Sequence, residues 1–334
     1  MNKMLLKEII EFKNGKKKPS SKGSIPIYGG NGILGYTDQN NQNGESLIIG
    51  RVGAYCGCVY SHYGKCWISD NAIVGKVNDG NDFYYCYYLL KRLNLNSRHV
   101  GSGQPLMTQE ILNNIEINIC DYETQRKIGK ILKNIDDKIR INNKINNNLY
   151  KLIKNNYESL INGCNWEEVE LGAISNITSG KRPVDKSETG EYPVIGANGI
   201  MAYTSDYNFN EDLIITGRVG TLGVVKRYLG EIWASDNTLV IQTKYLNYIE
   251  NYLKTIDYYS LNRGSTQPLL TQGDLKKQII YFNEKLVTKF EKDNQIFVDK
   301  IRNNEKENSK LIQLRDTLLP KLMNGEIDLD NIEI

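Results

Sequence analysis

The feature that most constrains this chain is an internal repeat, in which one set of motifs occurs twice in the same order. The repeated motifs, each given with its second copy, are PIYGGNGI at 26–33 and PVIGANGI at 193–200, GRVG at 50–53 and 217–220, SDN at 69–71 and 235–237, and GSGQPLMTQ at 101–109 and GSTQPLLTQ at 264–272. The offset drifts from 167 at the first motif to 163 at the last, which indicates small deletions in the second copy. The sequence therefore predicts a duplicated globular module and not a short-period solenoid.

Within each copy, short apolar runs alternate with glycines, as is typical of short strands joined by turns. The runs that predict strands are 47–49 and 72–74 in the first copy and 213–215 and 238–241 in the second. Two tyrosine-rich runs, 82–93 and 245–259, are predicted to be helical. In the first of them, Tyr84, Tyr87, Tyr88 and Lys91 recur at helical spacing. Each module is thus expected to be mixed α and β.

A long segment with heptad spacing follows each module. In the first segment, 121–161, the seam positions are Ile128, Leu132, Ile135, Ile139, Asn142, Asn146, Leu149, Ile153, Tyr157 and Leu160. An offset of 162 maps them onto Phe290, Asn294, Phe297, Ile301, Asn304, Asn308, Leu311, Arg315, Leu319 and Leu322. We predict two long helices with Asp121 and Asn283 as N-caps and Asn-Gly stops at 162–163 and 324–325. Pro320 is expected to kink or end the second helix early.

Two asparagines lie in the middle of each seam. If the helices are antiparallel, Asn142 lies opposite Asn308 and Asn146 opposite Asn304, and such a buried polar layer fixes the register. The alternative is that these asparagines face solvent on a loose helix.

The predicted fold class is α+β, with two repeated mixed α/β modules on glycine-rich strands. Two long antiparallel coiled-coil helices separate the modules and relate them by a pseudo-two-fold axis. The predicted segments are a first module at 1–120, a central helix at 121–163, a second module at 164–282, a C-terminal helix at 283–325 and a tail at 326–334.

Composition sets broad limits. The chain has 334 residues, 40% hydrophobic and 24% charged, with a net charge of +3, which permits nucleic-acid binding without demanding it. The N-terminal residues MNKMLLKEII do not resemble a signal peptide, and no window is apolar enough for a transmembrane helix. We expect a cytoplasmic protein with reduced thiols and no membrane partner.

The sequence offers little for catalysis. It contains neither a P-loop nor the Pro-Pro pair of an adenine-methylase loop, and only His62 and His99 are available as histidine bases. Cys56, Cys58, His62 and Cys66 suggest a zinc site, but their expected counterparts in the second copy cannot bind metal. These counterparts are Gly223, Val225, Leu229 and Ile232. We therefore interpret the cluster as strand residues, and expect neither a metal nor a catalytic site.

The order of the motifs resembles the specificity (S) subunit of type I restriction-modification systems, the HsdS family. The resemblance rests on PIYGGNG, GYT, GRVG and SDN in the first copy and on PVIGANG, AYT, GRVG and SDN in the second. QRKIGKILKNIDDKI at the start of the first long helix and LRDTLLPKLMNGEI near the terminus add to it. The resemblance covers nearly the whole chain, although the chain is short for this family.

The resemblance implies two target-recognition domains, each reading one half of a bipartite site in double-stranded DNA. The helices would set the spacing and dock two methyltransferase (M) subunits, which carry S-adenosylmethionine, so that this chain itself needs no cofactor. A translocating restriction nuclease (R) subunit can join such a complex.

Basic and polar loop residues shared by the two copies are candidate DNA contacts, because phosphate contacts position a protein while base contacts specify the sequence. The candidates are Lys16, Lys17, Lys18, Ser20, Arg51, Arg98 and Gln104 in the first copy, and Lys181, Arg182, Arg218, Arg263 and Gln267 in the second. Arg51 and Arg218 could instead brace the fold by pairing with Asp70 or Asp236. Asn71, Asn237, Pro105 and Pro268 are interpreted as turn formers.

Base reading is expected in segments that differ between the copies. These are 20–24, 39–43 and 61–65 in the first copy, and 185–191, 205–210 and 226–228 in the second. Two other functions remain open: a non-catalytic coiled-coil adaptor that binds proteins, and a self-contained DNA-modifying enzyme, which the missing methylase motifs disfavour.

Overall fold

The computed structural model describes residues 2–101, 103–163 and 166–329. Ser102 of the repeated GSGQPLMTQ motif, residues 164 and 165 at the start of the predicted second module, and 330–334 of the predicted tail lie outside the described residues. The chain forms two compact units. Unit 1 comprises Met1–Asn142 and Glu305–Ile334, and unit 2 comprises Asn143–Asn304.

Unit 1 contains the first module, here module 1. Its strands are β1 (Asn2–Leu5), β2 (Ile10–Asn14), β3 (Ile25–Gly29), β4 (Gly32–Thr37), β5 (Glu45–Gly50), β6 (Val59–Tyr63), β7 (Trp67–Ile68), β8 (Ala72–Val77) and β9 (Glu116–Ile119), with helices α1 (Phe83–Arg92) and α2 (Gln109–Asn113) between β8 and β9. An antiparallel sheet has the order β2-β8-β5-β6, and a smaller sheet has the order β4-β3-β7. The predicted strands at 47–49 and 72–74 are confirmed as parts of β5 and β8.

The long helix α3 (Tyr122–Ile161) leads from unit 1 into unit 2, which contains module 2. The elements of module 2 are β10 (Glu167–Glu170), α4 (Leu171–Ile174), β11 (Asn176–Ser179), β12 (Tyr192–Gly196), β13 (Gly199–Thr204), β14 (Leu213–Gly217), β15 (Lys226–Tyr228), β16 (Trp233–Ala234), β17 (Thr238–Gln242), α5 (Leu246–Leu253), α6 (Gln272–Lys276) and β18 (Ile279–Phe282). Its sheets, β11-β17-β14-β15 and β13-β12-β16, repeat the topology of module 1. The chain then forms the second long helix, α7 (Glu284–Met323).

The second tyrosine-rich run is helical only in part, because α5 ends at Leu253 and the prediction extended to Tyr259. The side chain of Asp257 accepts a hydrogen bond from the backbone N–H of Tyr259 at 3.1 Å. Such a local side-chain bond offers the backbone a turn in place of a helix.

Each unit has a core that joins a module to parts of both long helices. In unit 1, Ile128 and Leu132 of α3 and Leu322 of α7 are buried with residues of the larger sheet and of α1. In unit 2, Ile153 of α3 and Phe290 of α7 are buried with the corresponding parts of module 2. The apolar seam positions therefore pack against the modules as well as against the partner helix.

The long helices begin and end where the caps and stops predict: α3 ends at Ile161, directly before Asn162-Gly163, and α7 ends at Met323, directly before Asn324-Gly325. Asp121 accepts a hydrogen bond from the Thr124 N–H at 3.0 Å, and Asn283 accepts one from the Leu286 N–H at 3.1 Å, so both predicted N-caps are confirmed. Gly325 ends α7 with a φ of +70°, which favours glycine. The prediction that Pro320 ends α7 early is wrong. The helix continues to Met323, and the Asn324 N–H donates to the Pro320 carbonyl at 3.0 Å, because a proline this near the end disturbs few hydrogen bonds.

Both units contain an asparagine pair between antiparallel helices. In unit 1, Asn142 Nδ2 donates to Asn308 Oδ1 at 3.0 Å, and in unit 2, Asn304 Nδ2 donates to Asn146 Oδ1 at 2.7 Å. All four side chains are buried. These are the pairs that the antiparallel register predicts. Among the described helices, none is both long and apolar enough to cross a membrane.

Candidate nucleic-acid interface

Three basic or polar turns of module 1 meet at one place, here called turn cluster 1: Gly15-Lys16, Gly50-Arg51 and Ser69–Asn71. The backbone N–H of Lys16 donates to the Ile68 carbonyl at 2.9 Å, and that of Arg51 donates to the Asn71 carbonyl at 2.9 Å. Both basic residues thus leave the fold beside the same SDN turn. The Lys16 side chain is exposed and that of Arg51 is half-buried.

Module 2 repeats this arrangement in turn cluster 2: Gly180-Lys181, Gly217-Arg218 and Ser235–Asn237. The N–H of Lys181 donates to the Ala234 carbonyl at 2.9 Å, and that of Arg218 donates to the Asn237 carbonyl at 2.8 Å. Because the same hydrogen bonds occur in both modules, the cluster belongs to the shared scaffold of the fold.

Glycine is required before each lysine. A Cβ at Gly15 would lie 2.0 Å from the Ser69 carbonyl oxygen, and one at Gly180 would lie 2.2 Å from that of Ser235. An indole then fixes each lysine backbone from the other side. Trp67 Nε1 donates to the Lys16 carbonyl at 3.2 Å, and Trp233 Nε1 donates to the Lys181 carbonyl at 2.8 Å. The backbone of each lysine is therefore fixed, and only its side chain can change position.

Arg51 and Arg218 brace the SDN turn, but they do so through its backbone and not through a carboxylate. Arg51 Nη1 donates to the Asp70 carbonyl oxygen at 3.2 Å, and Arg218 Nη1 donates to that of Asp236 at the same distance. Each guanidinium has five N–H donors, so one such bond leaves donors that can meet an anion. The structure is compatible with both roles weighed for these arginines.

The GS-x-QP loop packs on the GRVG segment in both modules. The N–H of Gly53 donates to the Pro105 carbonyl at 3.0 Å, and that of Gly220 donates to the Pro268 carbonyl at 2.9 Å. The exposed side chains of Gln104 and Gln267 therefore lie next to the arginine turns. This loop brings a fourth segment to each turn cluster.

The remaining basic loop residues are exposed close to the clusters in the chain. They are Lys17, Lys18 and Ser20 in module 1, and Arg182 in module 2. Together with Lys16 and Lys181 they give each module a basic loop beside its SDN turn. Such a surface suits phosphate oxygens.

Arg98 and Arg263 are not equivalent positions, which corrects the treatment of them as a shared pair. Arg263 donates its backbone N–H to Leu269, as Val100 does to Leu106 in module 1. Val100 is therefore the counterpart of Arg263. Arg98 instead lines a cavity of about 810 Å³ with Arg92 and Asn324.

The Arg263 side chain already has an anionic partner. Its Nη2 donates to Asp274 Oδ1 at 2.7 Å, and its Nε donates to Asp274 Oδ2 at 3.1 Å. Hydrogen bonds from Arg263 and Thr271 lower the pKa of Asp274 to about 2. This bidentate ion pair ties the residue to α6, so its availability to DNA is lower than that of Lys181 or Arg182.

Within the segments predicted to read bases, Asn41 and Asn208 serve the fold. Asn41 accepts from the Ile68 N–H at 2.8 Å and donates to its carbonyl at 2.9 Å. Asn208 binds Ala234 in the same way, at 2.8 and 3.0 Å. Because both amides are used identically in the two modules, these residues hold β7 and β16 and are not the ones that differ between half-sites.

The cysteines and the histidine of module 1 that suggested a zinc site lie in different local structures. Cys56 and Cys58 precede β6 and do not lie in a strand, which corrects part of the earlier interpretation. His62 contacts the Tyr28 hydroxyl and the Lys65 carbonyl, each at 3.2 Å, while burial raises the pKa of the Cys66 thiol to about 11. Across the described residues, no group of three His, Cys, Asp or Glu side chains is arranged to hold a metal ion.

Sequence comparison decides the family. The family described as the type I restriction modification DNA specificity domain matches residues 1–151 and again residues 164–313. The chain belongs to this family. One match falls on each module with part of the following long helix, so the internal repeat is a repeat of this domain, and the resemblance seen in the motifs is confirmed.

Individual relatives agree with the family. The EcoprrI specificity subunit of Escherichia coli is 34% identical over 111 residues, which cover 33% of this chain and 28% of the relative. The MjaIX specificity subunit of Methanocaldococcus jannaschii is 26% identical over 309 residues, which cover 76% of this chain and 71% of the relative. The chain thus matches less than a third of the E. coli protein.

The S subunit of a type I restriction-modification system from M. genitalium has a similar structure. The TM-score is 0.69 at 19% identity, covering 96% of this chain and 95% of that one. At this identity the likeness concerns the fold, and the predicted fold class of two repeated mixed modules with two long helices is confirmed.

Proposed function

We propose that this chain is the DNA-specificity subunit of a type I restriction-modification system and that it has no catalytic site of its own. Each module reads one half of a bipartite site in double-stranded DNA. The observation that carries this proposal is the turn cluster, which presents a lysine and an arginine with the same backbone hydrogen bonds in both modules. A duplicated anion-binding scaffold surrounded by loops of different sequence suits a polymer with a uniform backbone and variable bases.

The long helices, in this proposal, set the gap between the half-sites and dock two methyltransferase subunits. The asparagine pairs fix the register of the helices, as buried polar groups do in coiled coils. S-adenosylmethionine binds to the methyltransferase subunits, and a nuclease subunit joins the same assembly when DNA is restricted.

The decisive experiment maps methylated adenines in cells that carry the methyltransferase subunits with or without this chain. We expect a two-part motif with a fixed gap that disappears when the chain is deleted. Shortening α3 and α7 in step should change the gap and leave both half-sites unchanged. Methyl transfer by the chain alone would instead identify a self-contained enzyme, and an unchanged methylation pattern would favour a protein adaptor.

A further inference from the structure

Each module carries an exposed apolar pair at the same position of the same hairpin. The pair is Ile33 and Leu34 on β4 in module 1, and Ile200 and Met201 on β13 in module 2. Their exposed fractions are 49% and 43% in module 1, and 58% and 49% in module 2. Single exposed apolar residues are common on protein surfaces, but a pair repeated at an equivalent position is unlike random scatter.

The scaffold holds these side chains in a defined place. A Cβ at Gly29 would lie 2.4 Å from Leu34 Cδ1, and one at Gly196 would lie 3.0 Å from Met201 Sδ. In both modules, therefore, a glycine on the inner strand makes room for the apolar side chain of the outer strand. β4 and β13 are the outer strands of their three-stranded sheets.

The hairpins are continuous with the turn clusters. In module 1 a Cβ at Gly30, in the hairpin turn, would lie 3.4 Å from the Asn71 carbonyl oxygen. In module 2 a Cβ at Gly217 would lie 3.0 Å from the Cβ atom of Ala197, which is in the equivalent hairpin turn. The apolar pair thus extends the surface that carries Arg51 in one module and Arg218 in the other.

A lysine lies beside each hairpin, although it comes from a different element in each module. In module 1 a Cβ at Gly35 would lie 3.8 Å from Lys18 Nζ. In module 2, Lys226 Nζ donates to the Asn198 carbonyl at 3.1 Å. The same combination of apolar side chains and an ammonium group has been assembled in two ways, which indicates one kind of occupant with apolar surface and negative charge.

We propose that the two apolar pairs pack against the sugar faces of duplex DNA, between phosphates held by the neighbouring basic residues. This inference rests on the proposed function and adds a sequence-independent, nonpolar contact to it. The two modules read different half-sites, so a contact that both of them make must be to a part of DNA that does not vary with sequence. The sugar-phosphate backbone is that part, and the deoxyribose is its apolar component. A nonpolar contact adds affinity without releasing counterions, so it leaves the salt dependence of binding unchanged.

The test compares the full chain with two double variants, I33S/L34S and I200S/M201S, and with the matched control I296S. Ile296 is 69% exposed on α7, outside both modules. Binding is measured by fluorescence anisotropy over a range of salt, on a duplex selected from a random pool by the unmodified chain and on an unrelated duplex of the same length. Thermal unfolding of each variant verifies that it folds.

We expect each double variant to bind both duplexes about tenfold more weakly, with an unchanged slope of log affinity against log salt, while I296S matches the parent. Unchanged affinity would overturn the inference and assign the hairpins to a protein partner, with the proposed function intact. A loss confined to the selected duplex would overturn it in favour of base reading. Failure of the unmodified chain to bind any duplex, with methyltransferase subunits present, would overturn the proposed function itself.

Discussion

The Glu291 carboxylate of α7 accepts a 2.7 Å hydrogen bond from the backbone N–H of Tyr248, in the first turn of α5. In module 1 the corresponding helix is capped by a residue from a different element. Asp82, the N-cap of α1, accepts a 2.8 Å hydrogen bond from the Tyr85 N–H, while α3 has Gly129 where α7 has Glu291. Each short helix is thus capped by one carboxylate, supplied by its own chain segment in one module and by the long helix in the other.

Gly129→Ala should destabilise unit 1, although glycine to alanine normally stabilises a helix by about 1 kcal/mol. A Cβ at Gly129 would lie 2.2 Å from Asp82 Oδ1, so the capping carboxylate would have to move. We expect the free energy of unfolding, measured in urea, to fall by about 1–3 kcal/mol. Gly273→Ala on α6 is the matched control, because its Cβ would lie 3.8 Å from Thr271 Oγ1, an ordinary contact distance, and it should be neutral or stabilising. A stabilised Gly129→Ala would refute the packing argument.

Moving the capping carboxylate of α1 from position 82 to position 129 should restore the stability that is lost when Asp82 is removed. Asp82→Ala alone removes the cap and should lower the free energy of unfolding by about 1 kcal/mol, while Gly129→Glu alone sets a second carboxylate against Asp82. The combination Asp82→Ala with Gly129→Glu reproduces the arrangement of module 2. It should be more stable than the sum of the single effects predicts, as measured by a double-mutant cycle. Simple additivity would show that the two positions do not share one site.

The cap in module 2 should make stability depend on pH. Burial raises the pKa of Glu291 above its ordinary value of 4.5. A carboxyl whose pKa is raised by folding adds stability that is present below the unfolded-state pKa and is lost as the pH rises through the folded-state pKa. The stability of the parent relative to Glu291→Gln should therefore decline as the pH rises from the ordinary glutamate pKa through the raised folded-state pKa. Urea unfolding of both proteins over this range checks the sign, and a rising difference would contradict it.

The asparagine pairs should sacrifice stability for register. Asn142→Leu alone removes the amide that donates to Asn308, and should lower the free energy of unfolding by about 1–3 kcal/mol. Replacing both Asn142 and Asn308 by leucine should recover that loss or exceed it, because a leucine pair packs well in a seam. Under the proposed function, methyltransferase subunits assembled with the double variant should nevertheless methylate DNA sites with a less uniform gap, which adenine-methylation sequencing would reveal. If the gap were as uniform as with the parent chain, the hypothesis that this asparagine pair fixes the helix register would be wrong.

Arg51→Ala and Arg218→Ala should each weaken DNA binding at low salt and reduce the salt slope by about one, the signature of one lost phosphate contact. Arg126→Ala serves as a control, since this exposed arginine on α3 pairs with Glu123 at 3.7 Å. If the arginines only brace the SDN turn, their variants will lower the unfolding temperature and leave the salt slope unchanged.

The repeat made most of the fold predictable. It located the strands at 47–49 and 213–215, the N-caps Asp121 and Asn283, and the pairing of Asn142 with Asn308, because these features depend on local pattern or on helical periodicity. The motif order also identified the family. The lysines and arginines of the turn clusters could be selected because the second copy acted as a comparison for the first.

Other features depend on tertiary contacts or on the exact offset at single positions. Arg98 and Arg263 were paired only because both precede the GS-x-QP loop; the offset of 163 at that motif places Val100 opposite Arg263, and the hydrogen bonds to Leu106 and Leu269 agree with it. Asn41 and Asn208 match at the offset of 167 but lie in segments that otherwise differ, and their bonds to β7 and β16 show what their common role is. The exchange of capping acids was hidden because Gly129 and Glu291 share no chemistry until Asp82 is placed beside one of them.

The close approach at Gly15 and Gly180 has a practical consequence for changing specificity. Any side chain there would meet a carbonyl oxygen near 2 Å, at 2.0 Å in module 1 and 2.2 Å in module 2, so these positions tolerate no diversity. The neighbouring Lys17, Lys18 and Arg182 are exposed and under no such restriction. A combinatorial library aimed at new DNA targets would therefore hold the glycines constant, keep these basic residues for the phosphates, and randomise the nearby segments predicted to read bases, 20–24 and 185–191. Most of its members should still fold.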